Sequence, residues 1–155
     1  MKRTRHSAAG RAATDLILET FRLNGRLLLA GDRLVSELGL TSARWQVLGA
    51  IACSPQLQPV AWLARSMGLN RQGVQRIVNE MLTDGLVELH PNPHHRRAHL
   101  VGLTKKGRTV YETADQLQIP WINELAKSLS VSDIESAIRI SETLRKRLEA
   151  NEREP

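Results

Sequence analysis

Apolar residues recur along this chain mostly at helical spacing. Ile17, Phe21, Asn24, Leu28, Gly31, Val35 and Leu38 stand alternately four and three apart, one seam of a long helix that begins at Thr14 or Asp15. Leu16, Leu23, Leu27, Ala30 and Leu34 make a second seam beside it. Two adjacent stripes predict a helix covered on two sides, by its own domain and by a partner, or else a wide core face in a monomer. Gly39 stands where a left-handed residue ends a helix. Thr41 or Ser42 then caps a second helix to about Cys53, with Trp45, Leu48, Gly49 and Ala52 on one face. Pro55 and Pro59 forbid a continuous helix, so residues 54–59 are expected as a turn.

Val60, Leu63, Ala64 and Met67 predict a short amphipathic helix that Gly68 stops. Asn70 caps the next, over about 70–84, whose apolar row is Val74, Ile77, Val78, Met81 and Leu82. Those five fall within about 140° of arc. Two short helices about a glycine turn are the signature of a helix-turn-helix. The opposite face carries Gln72, Arg76 and Asn79, flanked by Gln75, Gly73 and Glu80, with Arg71 at the helix start. Glutamine and asparagine can pair bidentately with adenine and arginine with guanine, so this face can read base edges; the plainer alternative is an ordinary solvated face. Gly73 has no packing reason in the pattern and costs about 1 kcal/mol against alanine. A close approach of backbone to phosphate would account for it, and so would chance.

Past Asp84-Gly85 the period changes. Residues 86–90 read as a strand, Pro91-Asn92-Pro93 breaks it, and residues 98–103 return. Beside a helix-turn-helix, such a hairpin is a wing, here about 86–103, and its tip carries His94, His95, Arg96 and Arg97. Cationic wing residues enter the minor groove or grip phosphates. Thr104 caps a fifth helix with the stripe Val110, Ala114, Leu117, Trp121 and Leu125, and Pro120 predicts a kink or break near Ile119. Lys105, Lys106 and Arg108 in its first turns oppose the helix dipole, which is easier to understand with phosphates nearby. Ser132 and Glu135 form a capping box for a last helix with the stripe Ile134, Ile138, Ser141, Leu144 and Leu148.

The expected fold is therefore mainly α with a small β-hairpin. A winged helix-turn-helix DNA-binding region, 41–104, is flanked by helical dimerisation segments, 14–39 and 104–150, and preceded by a flexible basic arm, 1–12. The whole is expected as a single compact domain, or one domain with a long helical annex. Seams at both ends of the chain make a symmetric homodimer the economical arrangement, matched to a two-fold operator.

Composition sharpens this. Aromatics are 3% of the 155 residues, so aliphatic side chains must build the core. The net charge is +6 and the pI about 10.2, which favours polyanionic partners. No acid occurs over residues 89–111, which include Arg96, Arg97, Lys105, Lys106 and Arg108; residues 1–14, with Lys2, Arg3, Arg5 and Arg11, are also acid-free. The wing and its base hold four of the five histidines, His90, His94, His95 and His99. His90 and His99 could face each other across the hairpin, but no Asp or Cys joins them and the spacing fits no zinc pattern, so no metal or other cofactor is expected. Phosphate or groove contact suits these imidazoles better and predicts DNA affinity that rises as pH falls. Cys53 is alone, which excludes an internal disulfide; a packed core thiol is the expected reading, ahead of a redox sensor. No apolar run is long enough for a membrane span, and no signal segment is evident, so the chain reads as cytosolic. Paired carboxylates, a Ser/His/Asp set and a phosphate-binding glycine loop are all missing, which argues against an enzyme. A winged-helix module that binds protein is the other reading, but it would favour an apolar or acidic outer face where Gln72, Gln75, Arg76 and Asn79 stand.

Residues 95–107, His-Arg-Arg-Ala-His-Leu-Val-Gly-Leu-Thr-Lys-Lys-Gly, resemble the wing pattern D-x-R-x5-L-T-x-x-G of the MarR family of winged-helix transcriptional regulators. Residues 40–48 resemble that family's second helix and residues 60–76 its helix-turn-helix, and the likeness runs from about Asp15 to Glu149. It implies a homodimer joined by the first and last helices, with recognition helices in successive major grooves and wings in the flanking minor grooves. By position it makes Arg97 the minor-groove arginine, sets Gln72, Gln75 and Arg76 against base edges, and sets Arg71 against the backbone. It also implies release from DNA by a small aromatic or phenolic effector held between the DNA-binding and dimerisation parts, for which Leu28, Arg44 and Trp45 are the candidates. One position departs from the pattern: its acid is His95 here, which cannot steer Arg97 as a carboxylate would. Trp62 falls about 200° from Val60, off the apolar stripe, and is expected against a neighbouring element or a DNA backbone.

Overall fold

The structure is a computed structural model and describes residues 5–151. The chain divides into two compact units, Met1–Gln118 and Ile119–Pro155. Helix α1, Ala8–Val35, is followed by a 3-10 turn, Ser36–Leu38, that closes on Gly39 at φ 67°. Helix α2 spans Ser42–Ala52, strand β1 Gln58–Pro59, helix α3 Val60–Ser66 and helix α4 Arg71–Thr83. Strands β2, Val87–His90, and β3, Leu100–Leu103, form the hairpin; helices α5, Lys105–Leu125, and α6, Val131–Asn151, complete the chain.

Several boundaries differ from those the sequence pattern predicts. Helix α1 starts six residues before Thr14, because Ser7 caps it: the Ser7 hydroxyl accepts from the Gly10 N–H at 3.0 Å, and four alanines fill the first turns. The expected arm of residues 1–12 thus ends at Ser7 within the described residues; its Lys2 and Arg3 lie outside them. The expected turn over 54–59 contains a strand, since Gln58 and Pro59 pair antiparallel with Val101 and Leu100. A proline is tolerated there because an edge strand leaves one row of N–H positions unused. The hairpin is therefore part of a three-stranded sheet of order β1-β3-β2. Helix α5 continues through Pro120 without a break near Ile119. The cap of α6 is Ser130 and not Ser132, its hydroxyl lying 3.4 Å from the Asp133 N–H.

The first unit is held by one apolar cluster. Val35, Leu40, Val47, Leu48, Leu63, Val74, Val78, Met81, Leu86, Val87 and Val101 are all buried, with Trp45, Ile77, Val110 and Tyr111 packed against them. Helix α2 docks on α1 through a small-residue crossing. The Ser42 hydroxyl donates to the Leu28 carbonyl at 2.7 Å, the Ser42 N–H donates to the Asp32 carboxylate at 2.6 Å, and Gly31 leaves room for the serine. The seams of α1 stay largely uncovered: Ile17, Phe21, Leu23 and Leu27 are exposed, and only Gly31 and Val35 are buried.

The second unit contains the end of α5 and all of α6. None of α6 is buried, and Ile119, Leu125, Leu129, Ile138 and Leu148 are exposed. Exposed apolar side chains in such number are costly to leave in water.

Candidate nucleic-acid interface

Helix α4 turns its buried row, Val74, Val78 and Met81, into the core, and this fixes what its other face shows. Asn70 sets the helix start by accepting from the Gln72 and Gly73 N–H groups at 2.8 and 3.4 Å. Arg71, Gln72, Gln75, Arg76 and Asn79 then line one open depression of about 500 Å³ on the outer side. Gln75 donates to Asn79 at 3.0 Å, which holds the two amides as a pair. Arg76 lies 3.9 Å from Glu80, an exposed contact too weak to bind the guanidinium firmly. A side chain on Gly73 would meet nothing within 4 Å.

The wing is built on the register Val87↔Leu103, Glu88↔Gly102, Leu89↔Val101 and His90↔Leu100. The cross-strand partner of His90 is therefore Leu100, and not His99. A period-2 register places opposite His90 whichever residue the turn length dictates. His90 lies 3.2 Å from Glu88 on its own strand and covers Gly102, where a Cβ would stand 2.9 Å from the imidazole. Among the described residues, no group of three or more His, Cys, Asp or Glu is arranged to hold a metal ion.

The tip is organised by Asn92, which in the sequence stands only as part of a strand-breaking Pro-Asn-Pro. Its side-chain amide donates to the Ala98 carbonyl at 2.8 Å, and its side-chain oxygen accepts from the His94 N–H at 3.0 Å. Two successive turns follow, His95 N–H to Asn92 carbonyl at 3.3 Å and Ala98 N–H to His95 carbonyl at 3.0 Å. These bonds hold the backbone on either side of His94, His95, Arg96 and Arg97, all four of which are exposed. The tip is thus pinned by an asparagine amide where the resemblance would put a carboxylate at His95.

Lys105 and Lys106 do not behave alike. Lys106 donates to the Asp84 carbonyl at 2.8 Å; among the described residues, the Lys105 ammonium has no hydrogen-bond partner. Of the three effector candidates, Arg44 is engaged elsewhere. Its guanidinium pairs with the Asp84 carboxylate and donates to the Gly39 carbonyl at 3.1 Å, and its buried Nε has no partner among the described residues. Trp45 packs on the core, and Leu28 is half-buried at the α1–α2 crossing. Trp62 is 39% exposed on α3.

Cys53 is exposed, not packed in the core, because it is the residue at which α2 ends. Its thiol lies 3.7 Å from the Tyr111 hydroxyl. That contact, with burial and the Cys53 and Asp115 charges adding to it, pushes the phenol up to about 12.

A MarR family model matches residues 38–98. The multiple antibiotic resistance protein MarR of Escherichia coli (strain K12) is 31% identical over 133 residues, 80% of this chain and 91% of that protein. The transcriptional activatory protein BadR of Rhodopseudomonas palustris is 32% identical over 126 residues, 79% of this chain and 71% of that protein. Among solved structures, a mutant E. coli MarR complexed with operator DNA superposes with a TM-score of 0.68 at 26% identity, over 83% of this chain and 94% of that one. A winged helix-turn-helix with an amide-and-arginine outer face and a basic wing, matched by these relatives over most of their length, makes this chain a member of the MarR family of DNA-binding transcription regulators.

Proposed function

We propose that the chain is a homodimeric repressor that binds a pseudo-palindromic operator in double-stranded DNA. The observation that carries this is the outer face of α4, where Arg71, Gln72, Gln75, Arg76 and Asn79 line one open depression. In this reading Gln72, Gln75, Arg76 and Asn79 meet base edges and Arg71 meets backbone. Arg97 enters the minor groove, and His94, His95, Arg96 and Lys105 meet phosphates. The similar MarR structure complexed with operator DNA supports DNA as the partner.

Support for the dimer comes from surface that the chain does not cover by itself. Phe21 is 68% exposed on α1 and Leu148 64% exposed on α6, each within a run of exposed apolar residues. A second copy covering these runs would remove them from water. Release by a small aromatic or phenolic effector at Leu28, Arg44 and Trp45 is carried by the family resemblance alone. Repression is the reading for this chain, although BadR is named as an activatory protein.

Selection of bound sequences from a random DNA pool tests the proposal, followed by titration of the selected duplex over a salt series. The expected result is an inverted repeat bound by a dimer. Arg97→Ala should weaken binding about tenfold or more and reduce the salt slope by about one. A purified protein with no preference for any duplex over random DNA would overturn it.

A further inference from the structure

Helix α4 and the wing are joined by only three residues, Asp84-Gly85-Leu86, and all three carbonyls are held by the start of α5. Lys106 donates to the Asp84 carbonyl at 2.8 Å, the Thr104 hydroxyl to the Gly85 carbonyl at 2.7 Å, and the Thr104 N–H to the Leu86 carbonyl at 3.1 Å. Gly107 lies flush on the same backbone. A Cβ there would overlap the Leu86 carbonyl oxygen and stand 2.8 Å from its carbon. From the other side, Arg44 on α2 pairs with the Asp84 carboxylate while donating to the Gly39 carbonyl. Gly85, at φ 68°, makes the turn that this clamp encloses. Asp84 is thus gripped at both its carboxylate and its carbonyl, by residues 40 and 22 positions away in the chain.

The clamp stands between the two candidate reading elements. Strand β2 leaves it for about 13 Å before the tip begins, so a rotation of about 10° at the connection would move the base of the tip by about 2 Å. A displacement of that size loses the geometry that bidentate base contacts require.

We infer that Arg44 and Lys106 are positioning residues for DNA recognition. They lock the end of the recognition helix to the base of the wing, and they act on DNA through that lock without touching it. This rests on the DNA-binding reading above. It separates Lys106 from Lys105, its neighbour in sequence, whose ammonium has no partner among the described residues and can meet a phosphate. It also gives Arg44 a task other than holding an effector.

The test compares wild type, Lys105→Met, Lys106→Met and Arg44→Met in operator affinity over a salt series, with amide hydrogen exchange at Gly85 and Leu86. Each lost phosphate contact lowers the slope of log K against log salt by about 0.9. Lys105→Met should show that loss. Lys106→Met and Arg44→Met should weaken binding by a similar factor, roughly tenfold, at every salt concentration, with the wild-type slope kept. Both should also speed exchange at Gly85 and Leu86, whose N–H groups bond to Leu82 and Met81 at 3.1 and 2.9 Å. Lys106 is an exposed position, so its variant keeps the test valid should Arg44→Met fail to fold. A slope loss in Lys106→Met equal to that of Lys105→Met overturns the inference. Faster exchange with unchanged operator affinity also overturns it, since the clamp would then be structural only. A wild type without operator preference would instead overturn the DNA-binding reading and this inference together.

Discussion

Gly73 allows folding and binding to be separated by one methyl group. It is the third residue of α4, in ordinary helical backbone, and a Cβ there meets nothing within 4 Å. Gly73→Ala therefore adds no clash within the chain. It removes the entropic cost of a helical glycine, about 0.8–1.0 kcal/mol. For a chain of this size that raises the melting temperature by about 2–4 °C. The operator should respond in the opposite direction. Gly73 flanks Arg76 on the helix surface, where a bound duplex would lie against the backbone. An added methyl would push the helix outward and weaken one base contact or more, at about 1–3 kcal/mol each. That corresponds to an affinity roughly 5- to 150-fold weaker. Urea melts at fixed protein concentration and fluorescence anisotropy with a labelled operator at fixed salt measure the two effects. A variant that is stabilised yet binds as wild type would refute the close approach. A destabilised variant would refute the open space around the Cβ.

Other expectations follow from the same geometry. Gly107→Ala should destabilise the fold by about 3 kcal/mol or more, because the new carbon meets a backbone carbonyl that cannot rotate away; a urea midpoint close to wild type would contradict this. Tyr111 is the one tyrosine, so absorbance near 295 nm follows its ionisation alone. Its folded value of about 12 lies above the ordinary 10.0 of a tyrosine, so its contribution to stability is complete below about pH 10 and is lost as pH rises towards 12. Cys53→Ala should move the titration midpoint down; an unchanged midpoint would remove the thiol contact as its main cause. Phe21→Glu should shift sedimentation from dimer towards monomer, and an unchanged dimer would place the interface elsewhere.

Most of the secondary structure was legible because the signals are local. The apolar row of α4, its Asn70 cap and the left-handed glycines at 39, 68 and 85 act within a few residues of themselves. The outer face of α4 was legible for the same reason: once Val74, Val78 and Met81 are assigned inward, helical geometry leaves Gln72, Arg76 and Asn79 outward. The start of α1 was not, since a hydrophobic seam marks where a helix is buried and not where it is capped. Strand β1 was invisible because two residues have no period, and their pairing partners lie more than 40 positions away.

The sequence by itself determined the architecture and its chemistry. Helical periodicity, glycine stops and a basic hairpin are enough to specify a winged helix-turn-helix, and an acid-free run of cations spans its wing and the start of α5. Only the tertiary structure decided which of those cations are free. Two adjacent lysines at the start of α5 look interchangeable in sequence, yet one reaches the Asp84 carbonyl and the other does not. Arg44 looks like a pocket residue until the end of α4 brings a carboxylate to it, and Cys53 looks like a core thiol until the end of α2 turns it outward beside Tyr111. The physical reason is common to all three. A side chain takes its partner from whatever the packed core carries to it, and no local pattern encodes that.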